Sequence, residues 1–255
     1  MRVLILGGTT EASAITRHLA GDPRFEVTLS LAGRTEKPAT LPGVALRVGG
    51  FGGATGLAHW LAETGIESVI DATHAFAAEI SRNTEAATRE RGIPLCTVVR
   101  PPWRPEPEDR WHTVATTEDA AGALGTEPRR VFLSVGRQGV GAFRSAPRHA
   151  YVIRSIEPPD AAALPPDITL IQARGPFVLQ DEIDLLTSHR IDVVVTKNAG
   201  GAATYAKIEA ARNLALPVIM IERPHKAGRD FVADADQAVD WLARLHATSR
   251  SERGV

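Results

Sequence analysis

A glycine-rich segment near the N-terminus has residue types that could hold a phosphate-bearing cofactor. Residues 7–11 (Gly-Gly-Thr-Thr-Glu) follow a short apolar run and precede a stretch whose apolar residues have helical spacing. Glycine lets the backbone approach a phosphate closely, and the N-terminus of a helix favours an anion. We therefore interpret five residues as contacts to a nucleotide, namely Gly7, Gly8, Thr9, Thr10 and Glu11. The alternative interpretation is a tight turn in which Glu11 only caps the helix.

The end of the second predicted strand indicates which dinucleotide would bind. A site for NAD usually has Asp or Glu at this point, where the carboxylate bonds the ribose 2′-hydroxyl. Here the residue is Arg34, and a guanidinium suits a 2′-phosphate through paired, charge-assisted hydrogen bonds. The sequence therefore favours NADPH. Two alternatives stay open: Arg34 is one solvated arginine among many, or nearby Glu36 serves NADH.

Two further segments follow predicted strands, at the edge where parallel sheets bind ligands. Residues 49–53 contain four glycines around Phe51, so the backbone could approach a flat ligand at Gly50, or the segment could be a flexible turn. In residues 71–76, His74 could bond a cofactor or substrate group, or could instead cap a helix or pack in the core.

A cationic segment in the second half could bind a polyanion. Residues 196–201 (Thr-Lys-Asn-Ala-Gly-Gly) follow a predicted strand and lead into a helix that carries Tyr205 and Lys207. Only four of the 29 basic residues are lysines, yet Lys197 and Lys207 fall within one stretch of eleven residues. This spacing indicates that a compact ammonium is required, unless it arises by chance. Two loop cations follow other strands, Arg137 and Arg174.

Strands alternate with helices along most of the chain, which predicts βαβ units and parallel sheets. The predicted strands are 3–6, 25–31, 44–48, 68–71, 93–99, 111–115, 130–135, 151–153, 168–172, 192–196 and 217–221. The predicted helices are 10–20, 54–63, 77–91, 117–124, 178–189, 202–213 and 235–246. The predicted fold class is α/β, with two Rossmann-like open parallel-sheet domains and a cleft between them. We expect an NADPH-binding domain at 1–100, a proline-rich interdomain crossing at 101–112, a substrate-side domain at 113–248 and a frayed tail at 249–255.

Composition argues against several classes of protein. The 255-residue chain has a formal net charge of −1, so it lacks the basic excess of a general nucleic-acid binder. A single cysteine excludes an internal disulfide framework, and no apolar run is long enough for a signal peptide or a membrane span. We therefore expect a cytoplasmic protein with no nucleic-acid or membrane partner. The sequence also lacks P-loop, nucleophile-elbow and zinc-type motifs, which argues against a catalytic metal.

Four segments in this order resemble the CobK/CbiJ family of precorrin-6A reductases of cobalamin biosynthesis. They are residues 5–12 (ILGGTTEA), 71–77 (DATHAFA), 196–201 (TKNAGG) with 205–207 (YAK), and 221–224 (IERP). The resemblance implies an oxidoreductase that transfers a hydride from NADPH to the C18–C19 double bond of precorrin-6A, giving precorrin-6B. The substrate would be a polycarboxylate tetrapyrrole, which suits the cationic loops. The resemblance also admits neighbouring enzymes of the pathway as partners.

The resemblance implies roles for individual residues as well. Cofactor phosphates and ribose would be held by Gly7, Gly8, Thr9 and Glu11, the 2′-phosphate by Arg34, and the nicotinamide side would be faced by Thr73 and His74. The substrate would be contacted by Arg137, Lys197, Asn198, Ala199, Gly200, Gly201, Tyr205 and Lys207. The proton for the reduced substrate would come from solvent or from His74, Lys197 or Tyr205. The family usually has serine where this chain has Ala199 and proline where it has Ala75, so the loop at 199 lacks a hydroxyl.

Three other functions stay open because a fold does not fix a substrate. The substrate could be the cobalt-containing form of the same macrocycle. The chain could instead be an NADPH reductase of another small acidic molecule. It could also be a regulatory module that senses a dinucleotide without catalysis, in which case NADPH would bind and not be oxidised.

Overall fold

The computed structural model describes residues 1–33 and 41–253, with side chains up to residue 249. Within these ranges the chain forms two compact units. The first unit contains Met1–Arg100 together with the chain from Pro224 onward, and the second contains Pro101–Arg223. The chain therefore leaves the first unit and later returns to it.

Strands and α-helices are numbered along the chain. The strands are β1 (Arg2–Leu6), β2 (Glu26–Leu31), β3 (Val44–Val48), β4 (Ser68–Asp71), β5 (Leu95–Val98), β6 (Arg110–Val114), β7 (Arg130–Ser134), β8 (Ala150–Ser155), β9 (Ile168–Gln172), β10 (Val193–Lys197), β11 (Pro217–Ile221) and β12 (Phe231–Val232). The α-helices are α1 (Thr10–Leu19), α2 (Gly53–Thr64), α3 (Ala78–Arg91), α4 (Thr117–Ala123), α5 (Leu179–Ser188), α6 (Ala206–Asn213) and α7 (Ala235–Arg253). Short 3₁₀ helices cover Arg137–Ser145, Ala161–Ala163 and Ala202–Thr204.

The first unit is a six-stranded parallel sheet in the order β12-β5-β4-β1-β2-β3. Its central strands β1, β4 and β5 are almost entirely buried, as expected for a parallel sheet covered on both faces. Side chains alternate along β1, so Val3 and Ile5 pack with α1 and α7, and Leu4 and Leu6 pack with α2 and α3. The sheet is thus enclosed between two pairs of helices.

The second unit is also a six-stranded parallel sheet, in the order β6-β11-β10-β7-β8-β9. One face packs against α5 and α6 through a core that includes Phe132, Val194 and Ile208. Like the first sheet, it has a central strand that is almost entirely buried. In β10, which reads Val-Val-Val-Thr-Lys, only the last residue is partly exposed.

The two sheets have the same strand order, and this order indicates where a ligand is expected to bind. The strand order reverses between β1 and β4 in the first sheet, and between β7 and β10 in the second. In open α/β sheets such a reversal leaves a crevice beyond the carboxyl ends of the strands, where ligands bind. One edge strand of each sheet, β12 in the first and β6 in the second, comes soon after the chain crosses from one unit to the other.

The predicted fold class of two Rossmann-like parallel sheets is confirmed, whereas the division of the chain differs from the expected one. The sequence predicts a second domain at 113–248, but the chain from Pro224 onward belongs to the first unit. The reason is that β12 pairs with β5 and that α7 places Ala238 and Leu242, both fully buried, in the core beside α1. The expected crossing at 101–112 belongs to the second unit, in which Arg110 already starts β6.

The C-terminal residues extend the last helix. Helix α7 continues to Arg253, so residues 249–253 are helical where the sequence predicts a frayed tail. None of the helices in the described part of the chain has the length and apolar character needed to cross a membrane.

Candidate active site

Thr9 ties together the two loops at the reversal point of the first sheet. It precedes α1, and its Oγ1 accepts a hydrogen bond from the amide of Ala12 at 3.1 Å and donates to the carbonyl of Ala72 at 2.7 Å. The threonine thus caps α1 and also fixes the loop after β1 to the loop after β4. The next amides, of Thr10 and Glu11, start the helix and have no intrahelical acceptor, so they form the positive end at which an anion is favoured.

Glycine is favoured at positions 7 and 8 of this loop for different reasons. A Cβ on Gly7 would lie 2.7 Å from Leu29 Cδ1, so a larger residue would have to displace that methyl group of β2. Gly8 has φ +112°, which favours glycine, and a Cβ there would meet no atom within 4 Å. The space beside Gly8 is therefore open, at the end of the helix where a phosphate is favoured. The residues present fit a dinucleotide phosphate group.

Glu11 is oriented by two neighbours in the same unit. Arg100 Nη1 lies 3.3 Å from Glu11 Oε1, and Thr10 Oγ1 donates to Glu11 Oε2 at 3.1 Å. A carboxylate has about four acceptor positions, so these contacts leave capacity for a ribose hydroxyl. The side chain of Glu11 is thus preorganised in the first turn of α1.

Asp71, at the end of β4, is the centre of a buried polar cluster that sequence analysis missed. Its Oδ1 accepts from the amide of Thr73 at 3.0 Å and from Thr73 Oγ1 at 2.6 Å, and its Oδ2 accepts from Ser81 Oγ at 2.6 Å. Lys226 Nζ lies 3.4 Å from Asp71 Oδ1. The hydroxyl hydrogen of Thr73 is therefore committed to Asp71, so toward a cofactor this side chain can only accept a hydrogen bond.

His74 follows Thr73 and has an exposed side chain. Its Nδ1 accepts a hydrogen bond from the amide of Phe76 at 3.2 Å, and the two rings are 5.8 Å apart between centroids. A neutral imidazole held in this way carries its proton on Nε2. The loop therefore presents His74 as a donor through Nε2.

Arg47, at the end of β3, organises the next glycine loop and was not found by sequence analysis. Its guanidinium donates to the carbonyls of Gly49 at 2.6 Å and Gly50 at 2.8 Å, and it lies 3.6 Å from the centroid of the Phe51 ring. Burial lowers the pKa of Arg47. A Cβ on Gly50 would meet nothing within 4 Å, so the loop is held through its carbonyls and its surface at Gly50 is open.

In the second unit, the loop after β10 is bound to the proline-rich segment that precedes β6. Asn198 donates through Nδ2 to the carbonyl of Trp103 at 3.0 Å and accepts from the Trp103 amide at 2.8 Å. The indole of Trp103 donates to the carbonyl of Gly201 at 2.9 Å. Gly200 has φ +69°, and a Cβ on it would lie 2.3 Å from the carbonyl oxygen of Pro101. The side chain of Asn198 is thus used to place Trp103.

Other predicted substrate residues of this edge differ in exposure. Arg137 begins the 3₁₀ helix after β7 and pairs with Glu157 at 2.9 Å on a partly exposed surface. Lys197 ends β10 and is half-buried. Ala199 is buried and has no polar side-chain atom. Arg137 is therefore already paired with a carboxylate, and Lys197 lies at the carboxyl edge of the second sheet.

Tyr205 belongs to a hydrogen-bonded group at the start of α6. Its hydroxyl donates to Glu106 Oε1 at 3.1 Å and accepts from Arg212 Nη2 at 2.7 Å. Arg212 also bonds Asp109 through Nε at 3.0 Å. Burial raises the pKa of Tyr205. Its hydrogen is therefore already donated to a carboxylate, and loss of that hydrogen is disfavoured.

Lys207 lies inside the second unit, with 3% of its surface exposed. Its Nζ donates to the carbonyl of Thr204 at 2.6 Å and lies 4.9 Å from the centroid of the Trp103 ring. Burial lowers the pKa of Lys207 to about 7, and the charge of nearby Arg154, itself paired with buried Glu182, acts in the same direction. Lys207 thus packs against Trp103 and presents almost no surface to solvent.

A pocket of about 590 Å³ opens beside Trp103 in the second unit. Three aromatic rings line it, from Trp103, Phe177 and Tyr205, and the lining also holds one cation, Arg104, and one carboxylate, Glu209. Aromatic walls with a few placed polar groups are typical of small-molecule sites. The rings suit a flat ligand, and the guanidinium of Arg104 suits a carboxylate.

The structure brings the predicted residues together in two groups. The cofactor residues that it describes follow β1, β3 and β4 at one edge of the first sheet, whereas the substrate residues lie after β7 and β10 and at the start of α6 in the second unit. Arg34 lies outside the described residues, within 34–40. Within the described part of the chain, no group of three His, Cys, Asp or Glu side chains could hold a metal ion.

Two parallel sheets of Rossmann type, with an open glycine loop at a reversal point, define the class of α/β proteins that bind nucleotide cofactors. A family model described as precorrin-6x reductase CbiJ/CobK matches residues 2–243. The chain belongs to this family, so it is an oxidoreductase of cobalamin biosynthesis. The resemblance carried by the four sequence segments is confirmed.

Individual relatives agree with the family model. A precorrin-6A reductase from Sinorhizobium sp is 49% identical over 246 residues, which cover 95% of this chain and 94% of the relative. A cobalt-precorrin-6A reductase from Methanothermobacter thermautotrophicus is 31% identical over 235 residues, which cover 88% and 77%. A solved structure of CobK precorrin-6A reductase is 46% identical, has a TM-score of 0.89, and is matched over 96% of this chain and 97% of its own.

Proposed function

We propose that this chain reduces the C18–C19 double bond of precorrin-6A to give precorrin-6B, with NADPH as the reductant. The observation that carries the proposal is the open space beside Gly8 at the N-terminus of α1, a helix with Glu11 in its first turn, in a member of the reductase family. This is the place at which Rossmann-type sheets hold the pyrophosphate of a dinucleotide.

The chain's own residues bind and orient the reactants. NADPH supplies the hydride when bound. The amides of Thr10 and Glu11 bond its phosphates, the Glu11 carboxylate bonds a ribose hydroxyl, and Gly50 allows close approach of the loop after β3. Arg34 binds the 2′-phosphate, for which a guanidinium is suited by charge and shape.

His74 is the proposed donor toward the reacting end of the cofactor and substrate. Its Nδ1 is fixed by the Phe76 amide, so its Nε2–H is held in one direction. The structure favours His74 over Tyr205 as a proton source, because the Tyr205 hydrogen is bonded to Glu106 and burial raises the pKa of the phenol. Lys197 would contribute charge toward the substrate carboxylates.

The substrate is proposed to be the metal-free macrocycle. The Sinorhizobium relative, which has the higher sequence identity, is a precorrin-6A reductase, and the relative with lower identity acts on the cobalt form. Arg137, Lys197 and Arg104 supply cations for a polycarboxylate tetrapyrrole, and the Trp103 ring supplies a flat apolar surface for the macrocycle.

The test is to mix the protein with NADPH and purified precorrin-6A, and to follow NADPH absorbance together with the tetrapyrrole spectrum. NADH and cobalt-precorrin-6A are run in parallel. Coupled loss of NADPH and a shift of the pigment spectrum support the proposal. NADPH binding without oxidation would instead indicate a sensing module, and turnover with the cobalt form alone would reassign the substrate.

The cofactor preference is tested with Arg34→Ala, with the exposed Arg17→Ala as the matched arginine control. Hydrogen bonds to charged groups contribute about 1.5–3 kcal/mol, so Arg34→Ala should raise the KM for NADPH about ten- to a hundredfold. The KM for NADH should not change, because NADH has no 2′-phosphate. An equal rise for both cofactors would contradict the role of Arg34.

A further inference from the structure

Thr73 has each of its polar atoms bonded within the cluster at the end of β4. Its amide and hydroxyl donate to Asp71 Oδ1 at 3.0 Å and 2.6 Å, and its carbonyl accepts from Lys226 Nζ at 2.8 Å. The side chains of Lys226 and Asp71 are only 4% and 1% exposed. The backbone immediately before His74 is therefore fixed by two buried charges.

Lys226 reaches this loop from the segment by which the chain returns to the first unit. Its position lies between the return at Pro224 and the edge strand β12. Besides Thr73 and Asp71, its ammonium contacts the carbonyl of Val98, at the end of β5, at 3.4 Å. A single ammonium thus joins the carboxyl ends of β4 and β5 to the loop at 72–77.

A buried ion pair of this kind has little value for stability alone, because apolar residues of similar volume often serve equally well or better. The contacts of Lys226 include a loop carbonyl, a strand-end carbonyl and the carboxylate that holds Thr73, so the pair helps to specify the path of the loop. We infer that Lys226 is a positioning residue for the reduction, which holds the loop at 72–77 so that His74 meets the nicotinamide end of the cofactor. This inference rests on the proposed function.

Loss of the ammonium would affect the loop in two ways. The carbonyl of Thr73 would lose its donor, and the buried carboxylate of Asp71 would lose its cation and keep only the hydrogen bonds from Thr73 and Ser81. The loop would then relax toward other conformations. Because a displacement of about 1 Å can lower the rate of an enzyme about a hundredfold, a small shift of His74 suffices for a large kinetic effect.

The test compares three variants of the full-length chain. Lys226→Met removes the ammonium, and Asp71→Asn with Lys226→Met removes both charges while an amide oxygen remains for Thr73. Leu61→Ala is the control, because Leu61 is fully buried on α2 of the same unit, in a core cluster that includes neither Ala72 nor Val98. For each variant we would measure thermal stability, hydrogen exchange of residues 72–77, the Kd for NADPH by fluorescence, and kcat and KM with precorrin-6A.

The inference predicts that both Lys226 variants exchange the loop amides about tenfold faster or more, because local opening becomes easier. It also predicts a kcat about ten- to a hundredfold lower and a weaker Kd for NADPH. The double variant should regain stability relative to Lys226→Met without regaining kcat. Leu61→Ala should lose stability and keep wild-type loop exchange and kinetics.

A merely structural role gives a different result. If the double variant recovers loop exchange, NADPH affinity and kcat together with its stability, the inference is overturned. Failure of the proposed function would be seen separately, in the wild-type protein, as no consumption of NADPH with precorrin-6A. In that case loop exchange and NADPH affinity would still decide whether Lys226 positions this loop.

Discussion

At the scale of single residues, the chain places lysine and not arginine at two buried positions. Two of the four lysines, Lys207 and Lys226, are buried, with 3% and 6% of their surface exposed. Each places one compact ammonium against backbone carbonyls, where a planar guanidinium with five donors would leave N–H groups without partners. The role of Lys207 toward a polyanionic substrate stays a prediction, and in the structure its ammonium packs against the Trp103 ring.

The lowered pKa of Lys207 predicts a pH-dependent effect on stability. Between its folded pKa of about 7 and the usual value of 10.5, the unfolded chain binds more protons than the folded chain, so this residue makes the free energy of unfolding rise with pH. Below about pH 7 the fold must hold a buried charge. Lys207→Met should therefore be more stable than wild type by about 1–4 kcal/mol near pH 6. The difference should shrink as the pH rises toward 9.

Urea unfolding of both proteins at several pH values between 6 and 9 measures this difference. All other titrating groups are shared by the two proteins, so their effects cancel in the comparison. A difference that stays constant across the range would show that Lys207 does not titrate there in the folded state.

Gly200 and Gly122 form a matched pair for a test of backbone strain in the second unit. Gly200 has φ +69° and no room for a Cβ near Pro101, so Gly200→Ala should lower the free energy of unfolding by about 1–3 kcal/mol. Gly122 lies exposed in α4, where a Cβ meets nothing within 4 Å, so Gly122→Ala should raise it by about 0.4–1 kcal/mol. Denaturant midpoints measure both. Changes of the same sign would contradict the assigned role of the loop at Gly200.

At the scale of elements, the segment that precedes the edge strand β12 or β6 holds a loop that follows a central strand of the same sheet. In the first unit, Lys226 precedes β12 and bonds the loop after β4; in the second, Trp103 precedes β6 and bonds the loop after β10. The two sheets have the same strand order, so these are equivalent positions. The segment after each crossing between the units thus also fixes a loop at the carboxyl edge of a sheet, where ligands are expected to bind.

Sequence reasoning found the glycine loops and the lysine loop, because their residue types and their places after strands are local signals. It missed Lys226, Trp103 and Arg47. Lys226 contacts Thr73 across 153 positions and Trp103 contacts Asn198 across 95, and periodicity carries no information on such pairs. Arg47 bonds nearby carbonyls, but nothing distinguishes it in sequence from the other arginines.

The bond between Asn198 and Trp103 can be tested at this scale. Asn198→Ala removes two hydrogen bonds and leaves the Trp103 amide and carbonyl without these partners, so the free energy of unfolding should fall by about 1–3 kcal/mol. Asn213→Ala, at an exposed position at the end of α6, should change it by less than about 0.5 kcal/mol.

The same variant should also separate substrate from cofactor binding. Trp103 lines the pocket of the second unit, whereas the glycine loops belong to the first. The KM for precorrin-6A should therefore rise in Asn198→Ala, and the Kd for NADPH should stay at the wild-type value. A weaker Kd for NADPH with an unchanged KM for the substrate would contradict this assignment.

At the scale of the whole molecule, local sequence patterns predict the bounds of helices and strands well. They predict poorly which of the two units an element belongs to. Most helix and strand bounds agree with the prediction to about two residues, and α7 is predicted as a helix from its start at Ala235. Its apolar face, however, gives no indication of which sheet it covers. Strand β12 has only two residues and no pattern of its own, so the return of the chain to the first unit could not be predicted from sequence.

This return predicts which parts of the chain can fold alone. Residues 101–223 contain a complete six-stranded sheet, so this fragment should unfold cooperatively in urea. Residues 1–100 lack β12 and α7, and thereby Ala238 and Leu242 of the core. Full burial of one leucine side chain contributes about 1.5–3 kcal/mol, and a domain has only about 5–15 kcal/mol in total, so loss of a whole helix should prevent stable folding.

The informative comparison is between residues 1–100 alone and residues 1–100 joined to 224–255 through a flexible glycine–serine linker. The joined chain should recover a cooperative urea transition and bind NADPH, because it contains the glycine loops, Asp71 and Lys226. A control in which Leu242→Ala is added to the joined chain should unfold at lower urea, since it leaves a cavity against α1. A cooperative transition in residues 1–100 alone, equal to that of the joined chain, would show that α7 and β12 do not complete the first unit.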